Sequence, residues 1–275
     1  MKFRSVFLSL LIACSVQAAD PLDSVCFVSY RSVLGYGVKC TGTLISDQVV
    51  LTAGQCFKGG QEAISGNVSV SCGSAQMGMG KYIAGHKETF LVTGIRTYSN
   101  GILTSGRDSG VDLAMLRLDR KAQRVAPMNI PIALDSFRNE FLIKSSISSG
   151  EYLLRTGIEC RTSWYEVNPS LNSFTSMTLD YSPDNDVKVS LNQILHDNAA
   201  LVVQTWGDKA PPATWVTRTG AAFYCRKDRS SDWKLLGISS SHFETKRGET
   251  NIEFLASTFS PHFLGMWRNT QARWN

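Results

Sequence analysis

Seven cysteines and four histidines are among the side chains here that could act as nucleophiles, metal ligands or proton carriers. Cys14 lies in the N-terminal apolar run, leaving Cys26, Cys40, Cys56, Cys72, Cys160 and Cys225. No CxxC and no paired Cys/His spacing occurs, so a zinc site is not expected and no metal or other cofactor is implied. An even number in an exported chain argues for three disulfides, with fifteen connectivities open in principle. His86, His196, His242 and His262 have no common spacing, and a surface or loop position is the plainer reading of each. Asp112 precedes the apolar run LAMLRL, where an acidic residue by itself usually only ends a strand.

Export follows from the first residues. MKFR carries two positive charges and leads into SVFLSLLIA, too short to cross a bilayer, which reads as a signal peptide over residues 1–18 cleaved after Ala18. Leu11-Ile12-Ala13-Cys14 also fits a lipobox, in which Cys14 becomes a lipid anchor tethering the protein to the cell envelope. Later in the chain no window of eighteen apolar residues occurs, so no transmembrane span is expected. Loss of Lys2 and Arg4 leaves 26 basic against 23 acidic residues. The basic pairs Arg226-Lys227 and Lys246-Arg247 read as solvated surface, and no nucleic-acid partner is expected. Asn67-Val68-Ser69 is a glycosylation sequon, meaningful only in a host that glycosylates exported proteins.

The elements that must position these residues are strands. VCFVSY, GTLISDQVVLT, VSVSC, TFLVTGI, DLAMLRL, SFTSMTL, VKVSL, ALVVQ, KLLGISS and FLASTF are short, β-branched or alternating, and separated by turn residues such as Gly59-Gly60, Ser99-Asn100-Gly101 and Asp184-Asn185. They predict an all-β protein of antiparallel strands, a sandwich or barrel. One helix is expected over about 261–270, with Ser260-Pro261 as N-cap and first helical residue. The polar stretch from about Lys121 to Asn139 reads as the connection between two halves.

Cys40-Thr-Gly-Thr-Leu-Ile-Ser-Asp-Gln-Val-Val-Leu-Thr-Ala-Gly-Gln-Cys56 resembles the first-barrel signature of the trypsin/chymotrypsin-like serine peptidases, where Cys-x-Gly-[ST]-Leu-Ile leads into Leu-Thr-Ala-Ala-His-Cys. Val111-Asp112-Leu113-Ala114-Met115-Leu116 is similar to that family's Asp-Ile-Ala-Leu-Leu strand, and Thr217-Arg218-Thr219-Gly220 through Cys225 stands where the family has Gly-Asp-Ser-Gly-Gly-Pro and a closing cysteine. Leu236-Gly237-Ile238-Ser239-Ser240 resembles its Gly-Ile-Val-Ser strand, and Phe254 to Trp267 its last strand and helix. The resemblance implies two packed six-stranded barrels over residues 19–275: the first about 19–125, the second about 126–259, then the helix. It also implies disulfides Cys40–Cys56 and Cys160–Cys225, leaving Cys26 and Cys72 to pair within the first barrel.

The departures decide the expected chemistry. Gln55 stands at the base position, Thr219 at the nucleophile position, and Asp112 alone of the triad is retained. A carboxamide cannot take a proton near neutral pH, and a threonine adds a methyl at a crowded turn. Thr217 replaces a glycine of the oxyanion hole, Arg218 an acidic residue, and no Ile-Val-Gly-Gly-like activation sequence precedes the first strand. Ala213 stands where a trypsin-specific enzyme carries an aspartate, and Ser240 and His242 would line the cleft, His242 being the least implausible substitute base. Losing base or nucleophile costs on the order of a millionfold in related chemistry. The expected function is that of a secreted or periplasmic inactive peptidase homologue holding a protein or peptide partner in the former cleft. The alternatives are a divergent active serine endopeptidase and an envelope-tethered lipoprotein.

Overall fold

The computed structural model describes residues 21–31, 37–57, 67–73, 88–99, 112–130, 139–144, 151–168, 173–181, 188–190, 200–206, 219–244, 250–258 and 261–274. The segment 1–18, Cys14, His86, His196, Ala213, Thr217 and Arg218 lie outside these residues, as do the side chains of His242 and His262.

Six strands close a barrel in the order β1-β2-β3-β6-β5-β4. They are β1 (Val25–Arg31), β2 (Gly37–Ser46), β3 (Val49–Thr52), β4 (Val68–Cys72), β5 (Glu88–Ser99) and β6 (Asp112–Leu118). A four-residue helix, α1 (Pro21–Ser24), precedes them. Alternation explains β4, where Val68, Val70 and Cys72 are buried and Ser69 and Ser71 half-buried. β3 is buried at every position, and β6 at all but Arg117, which fits the unbroken apolar runs VVLT and LAML. The single run GTLISDQVVLT folds as the β2–β3 hairpin, broken at Asp47-Gln48 with a register shift between Leu44 and Ser46.

The second half forms, among the described residues, an antiparallel sheet of nine strands in the order β10-β9-β13-β14-β15-β12-β11-β8-β7. Its strands are β7 (Leu142–Lys144), β8 (Glu151–Leu154), β9 (Glu159–Asn168), β10 (Ser173–Tyr181), β11 (Lys188–Ser190), β12 (Ala200–Trp206), β13 (Ala222–Arg226), β14 (Lys234–Glu244) and β15 (Thr250–Ser257). β7, β8 and β9 do not stand out as apolar runs in the sequence. β9 buries Thr162 and Ser163 beside Trp164 and Tyr165, so the hydrophobic pattern that marks a strand is diluted by buried hydroxyls.

The C-terminal helix, α2 (Pro261–Trp274), runs four residues past the expected end. Thr270 is fully buried and faces Tyr98 of β5 at 3.2 Å, and Arg117 donates to the Trp274 carbonyl at 2.7 Å, so docking on the first barrel holds the final turn.

Disulfides join Cys26 to Cys72, Cys40 to Cys56 and Cys160 to Cys225. Register sets two of them: Cys26 lies opposite Cys72 in the β1–β4 ladder and Cys160 opposite Cys225 in the β9–β13 ladder. One hydrophobic cluster runs from the barrel strands through Tyr165, Tyr224, Leu235 and Ile238 to Phe263, making the two halves one packed unit. Among the described residues no helix is long and apolar enough to cross a membrane, and no cluster of His, Cys, Asp and Glu could hold a metal ion.

Candidate functional site

β3 ends at Thr52, and a 3-10 turn, Gly54–Phe57, follows immediately, stapled back to β2 by Cys40–Cys56. That turn presents Gln55. Its backbone N–H donates to Asp112 Oδ1 at 2.7 Å, and its carboxamide Nε2 donates to the Ser240 carbonyl. Asp112, the first residue of β6, has no solvent exposure, and its second oxygen accepts from the Ser240 hydroxyl at 2.6 Å. The carboxylate is therefore gripped by a main-chain N–H from the barrel and a hydroxyl from β14 of the other half. Burial without such donors would cost several kcal/mol, roughly the desolvation penalty of an ionised group.

Ser240 sits at an irregularity of β14, where the ladder to β15 shifts register between Ser239 and Ser241. Such a bulge turns a carbonyl out of the ladder, and here the Gln55 carboxamide meets it.

Thr219 and Gly220 form the turn entering β13. The Thr219 carbonyl accepts from the Thr41 N–H at 2.9 Å, and the Gly220 N–H donates to the Ser239 carbonyl at 2.8 Å. Gly220 has φ +84°, and a Cβ there would lie 2.0 Å from the Thr41 carbonyl oxygen and 2.5 Å from Thr52 Oγ1. Only a residue without a side chain permits so close an approach of the two halves. Thr52 Oγ1 in turn donates to the Thr41 carbonyl at 2.6 Å, completing a knot of backbone contacts under the turn.

These bonds bring Gln55, Asp112, Thr219 and Ser240 to one seam between the halves. Thr41, which holds Thr219, adjoins Cys40, which is bonded to the Cys56 that follows Gln55. The Thr219 hydroxyl and the Gln55 carboxamide are not hydrogen bonded to each other, and Gln55 reaches Asp112 through its backbone rather than its side chain. The backbone of His242 lies in β14 opposite Glu253.

Over residues 17–144 the sequence matches the family model described as Trypsin. That match takes in the closed six-stranded antiparallel barrel. The chain carries a trypsin-like domain. No curated protein matches it closely enough to be called a relative. The trypsin-like match covers Gln55 and Asp112 and stops short of Thr219, whose carbonyl is tied to the first barrel by the Thr41 N–H.

Two features of this trypsin-like domain are not signalled in the sequence. Tyr165 of β9 donates its hydroxyl toward the Val25 and Gly73 carbonyls, at 3.2 and 3.1 Å, and its N–H to Thr41 Oγ1 at 3.0 Å. Burial, with a smaller contribution from Asp23, keeps that phenol protonated well above the ordinary tyrosine range. Glu88, at the start of β5, accepts from Arg120 at 2.9 Å and from the Gln123 and Arg124 N–H groups at 2.8 and 2.7 Å. Burial pushes its carboxyl up, but these donors outweigh burial and hold it below the usual glutamate value. No motif flags either residue, because each partner is distant in sequence.

Proposed function

We propose that this trypsin-like domain is a catalytically inactive peptidase homologue that acts by binding a protein or peptide along the former substrate cleft. One observation carries the reading: at the position of the general base, the Gln55 carboxamide is committed as a donor to the Ser240 carbonyl and makes no hydrogen bond to the Thr219 hydroxyl. Acyl transfer of this kind needs a base within hydrogen-bond reach of the nucleophile to remove its proton. A neutral amide cannot store that proton, so the hydroxyl stays a poor nucleophile even with Asp112 in place. Asp112 holds the two halves together instead, and the replacements Thr217 and Arg218 support the same reading at the oxyanion side.

The reading places the protein outside the cytoplasm, delivered by residues 1–18 or tethered through Cys14; its three disulfides support an oxidising compartment. The test is fluorophosphonate labelling together with casein cleavage, comparing wild type, Thr219→Ala and the double variant Gln55→His/Thr219→Ser. Wild type is expected to match Thr219→Ala at background in both assays. Labelling or cleavage by wild type that Thr219→Ala abolishes would make the protein a divergent active endopeptidase.

A further inference from the structure

A cavity of about 130 Å³ lies between the first barrel and α2, at the opposite end of β6 from Asp112. Asp112 and Arg117 are separated along that strand by about 16 Å, so the cavity is not part of the seam described above. It is lined by Trp267, Gln271 and Trp274 of α2, by the Ser46–Val49 turn, and by Arg117 and Lys121.

The walls are fixed before any ligand arrives. Trp274 stacks against Gly94, where even an added Cβ would sit 3.6 Å from its ring, and the Arg96 guanidinium lies 5.8 Å from its centre. Its carbonyl is held by Arg117 Nη2, and Trp267 packs on the hydrophobic core. The charges do not cancel. Lys121 pairs with Asp47 at 2.9 Å, whereas Arg117 has no carboxylate partner among the described residues. Among the residues that line the cavity, that leaves one net positive charge beside the two tryptophans.

We infer that this cavity is a binding site for a small carboxylate bearing a single ring, the ring lying between the indoles and the carboxylate meeting Arg117. Size fits, since a cavity of about 150 Å³ accommodates benzene. A guanidinium with free N–H donors prefers a carboxylate, and its own bond to the Trp274 carbonyl pre-orients it. Lys121, largely exposed and already paired, adds longer-range attraction.

Benzoate, its neutral isostere benzamide, and acetate are the probes, titrated into the full chain and read by the indole N–H signals of Trp267 and Trp274, assigned with Trp→Phe variants. Benzoate is expected to bind about tenfold or more tightly than benzamide, and acetate not measurably. Arg117→Met should remove that tenfold preference while benzamide binding persists, which shows that the helix remains docked. Lys121→Met, which removes no packing, should weaken benzoate two- to threefold, about the effect of one exposed charge. Equal binding of benzoate and benzamide, binding of neither, or signal changes confined to other tryptophans would each overturn the assignment.

Discussion

At the scale of single residues, the seam depends on groups that no neighbour of different shape or polarity can replace. Gly220 occupies a positive-φ turn with a carbonyl oxygen 2.0 Å from where a Cβ would be. Gly220→Ala should therefore cost ~2–5 kcal/mol, from left-handed strain plus overpacking, as read by chemical denaturation. Ser240 donates its hydroxyl to the buried Asp112 carboxylate. Ser240→Ala should destabilise by about 1.5–3 kcal/mol, the range for losing a hydrogen bond to a charged group, and an unchanged denaturation midpoint would show the carboxylate is satisfied without it. The chemical types of Gln55 and Thr219 were readable directly, but the direction of the Gln55 carboxamide was not. Its acceptor, Ser240, is 185 residues away and is exposed to it only by a bulge in another strand.

Elements are held by contacts of the same long range. Glu88 ties the first residue of β5 to the chain leaving β6 through Arg120, Gln123 and Arg124. Because its folded-state pKa is lowered, its contribution is present above the unfolded-state value of about 4.3 and is lost as pH falls through the lower folded value. Glu88→Gln should thus be less stable than wild type at pH 7, with the gap closing as pH drops below about 4 in denaturant titrations across that range. Strands with unbroken or alternating apolar residues, such as β3, β4 and β6, were legible from the sequence. β9 was not, because Thr162 and Ser163 are buried there and Ser163 meets the Tyr224 hydroxyl at 2.6 Å, a partner that only the folded sheet supplies. The helix was expected to end at about residue 270; Trp274 is helical because the barrel, through Arg117 and Gly94, holds it.

For the molecule as a whole, the shared core and the Tyr165 bonds across the halves predict one unfolding event. A single calorimetric transition, with calorimetric and van't Hoff enthalpies equal, is the expected result; two resolved transitions would separate the halves. The disulfides should rank by the loop they close. Replacing Cys160 and Cys225, 65 residues apart, should cost about 4 kcal/mol, and replacing Cys40 and Cys56, 16 apart, about 3 kcal/mol, in the loop-entropy account. A reversed order in paired Cys→Ala variants would mean that Cys40–Cys56 fixes the Gln55 turn enthalpically rather than restricting the unfolded chain.

The sequence by itself determined the all-β class, the six cysteines beyond the N-terminal apolar run and the absence of a histidine from the Leu-Thr-Ala-Gly-Gln-Cys segment, because periodicity, composition and side-chain type are local properties. The three cysteine pairs are those the family resemblance implied, whereas only the tertiary structure decided where the Gln55 amide points, that Gly220 must admit another backbone, and that Arg117 stands beside two tryptophans at the end of a strand. Each of these is set by strand register and by the meeting of segments far apart in the chain, where closure of the barrel and burial of the common core, rather than any short-range preference, select the partner.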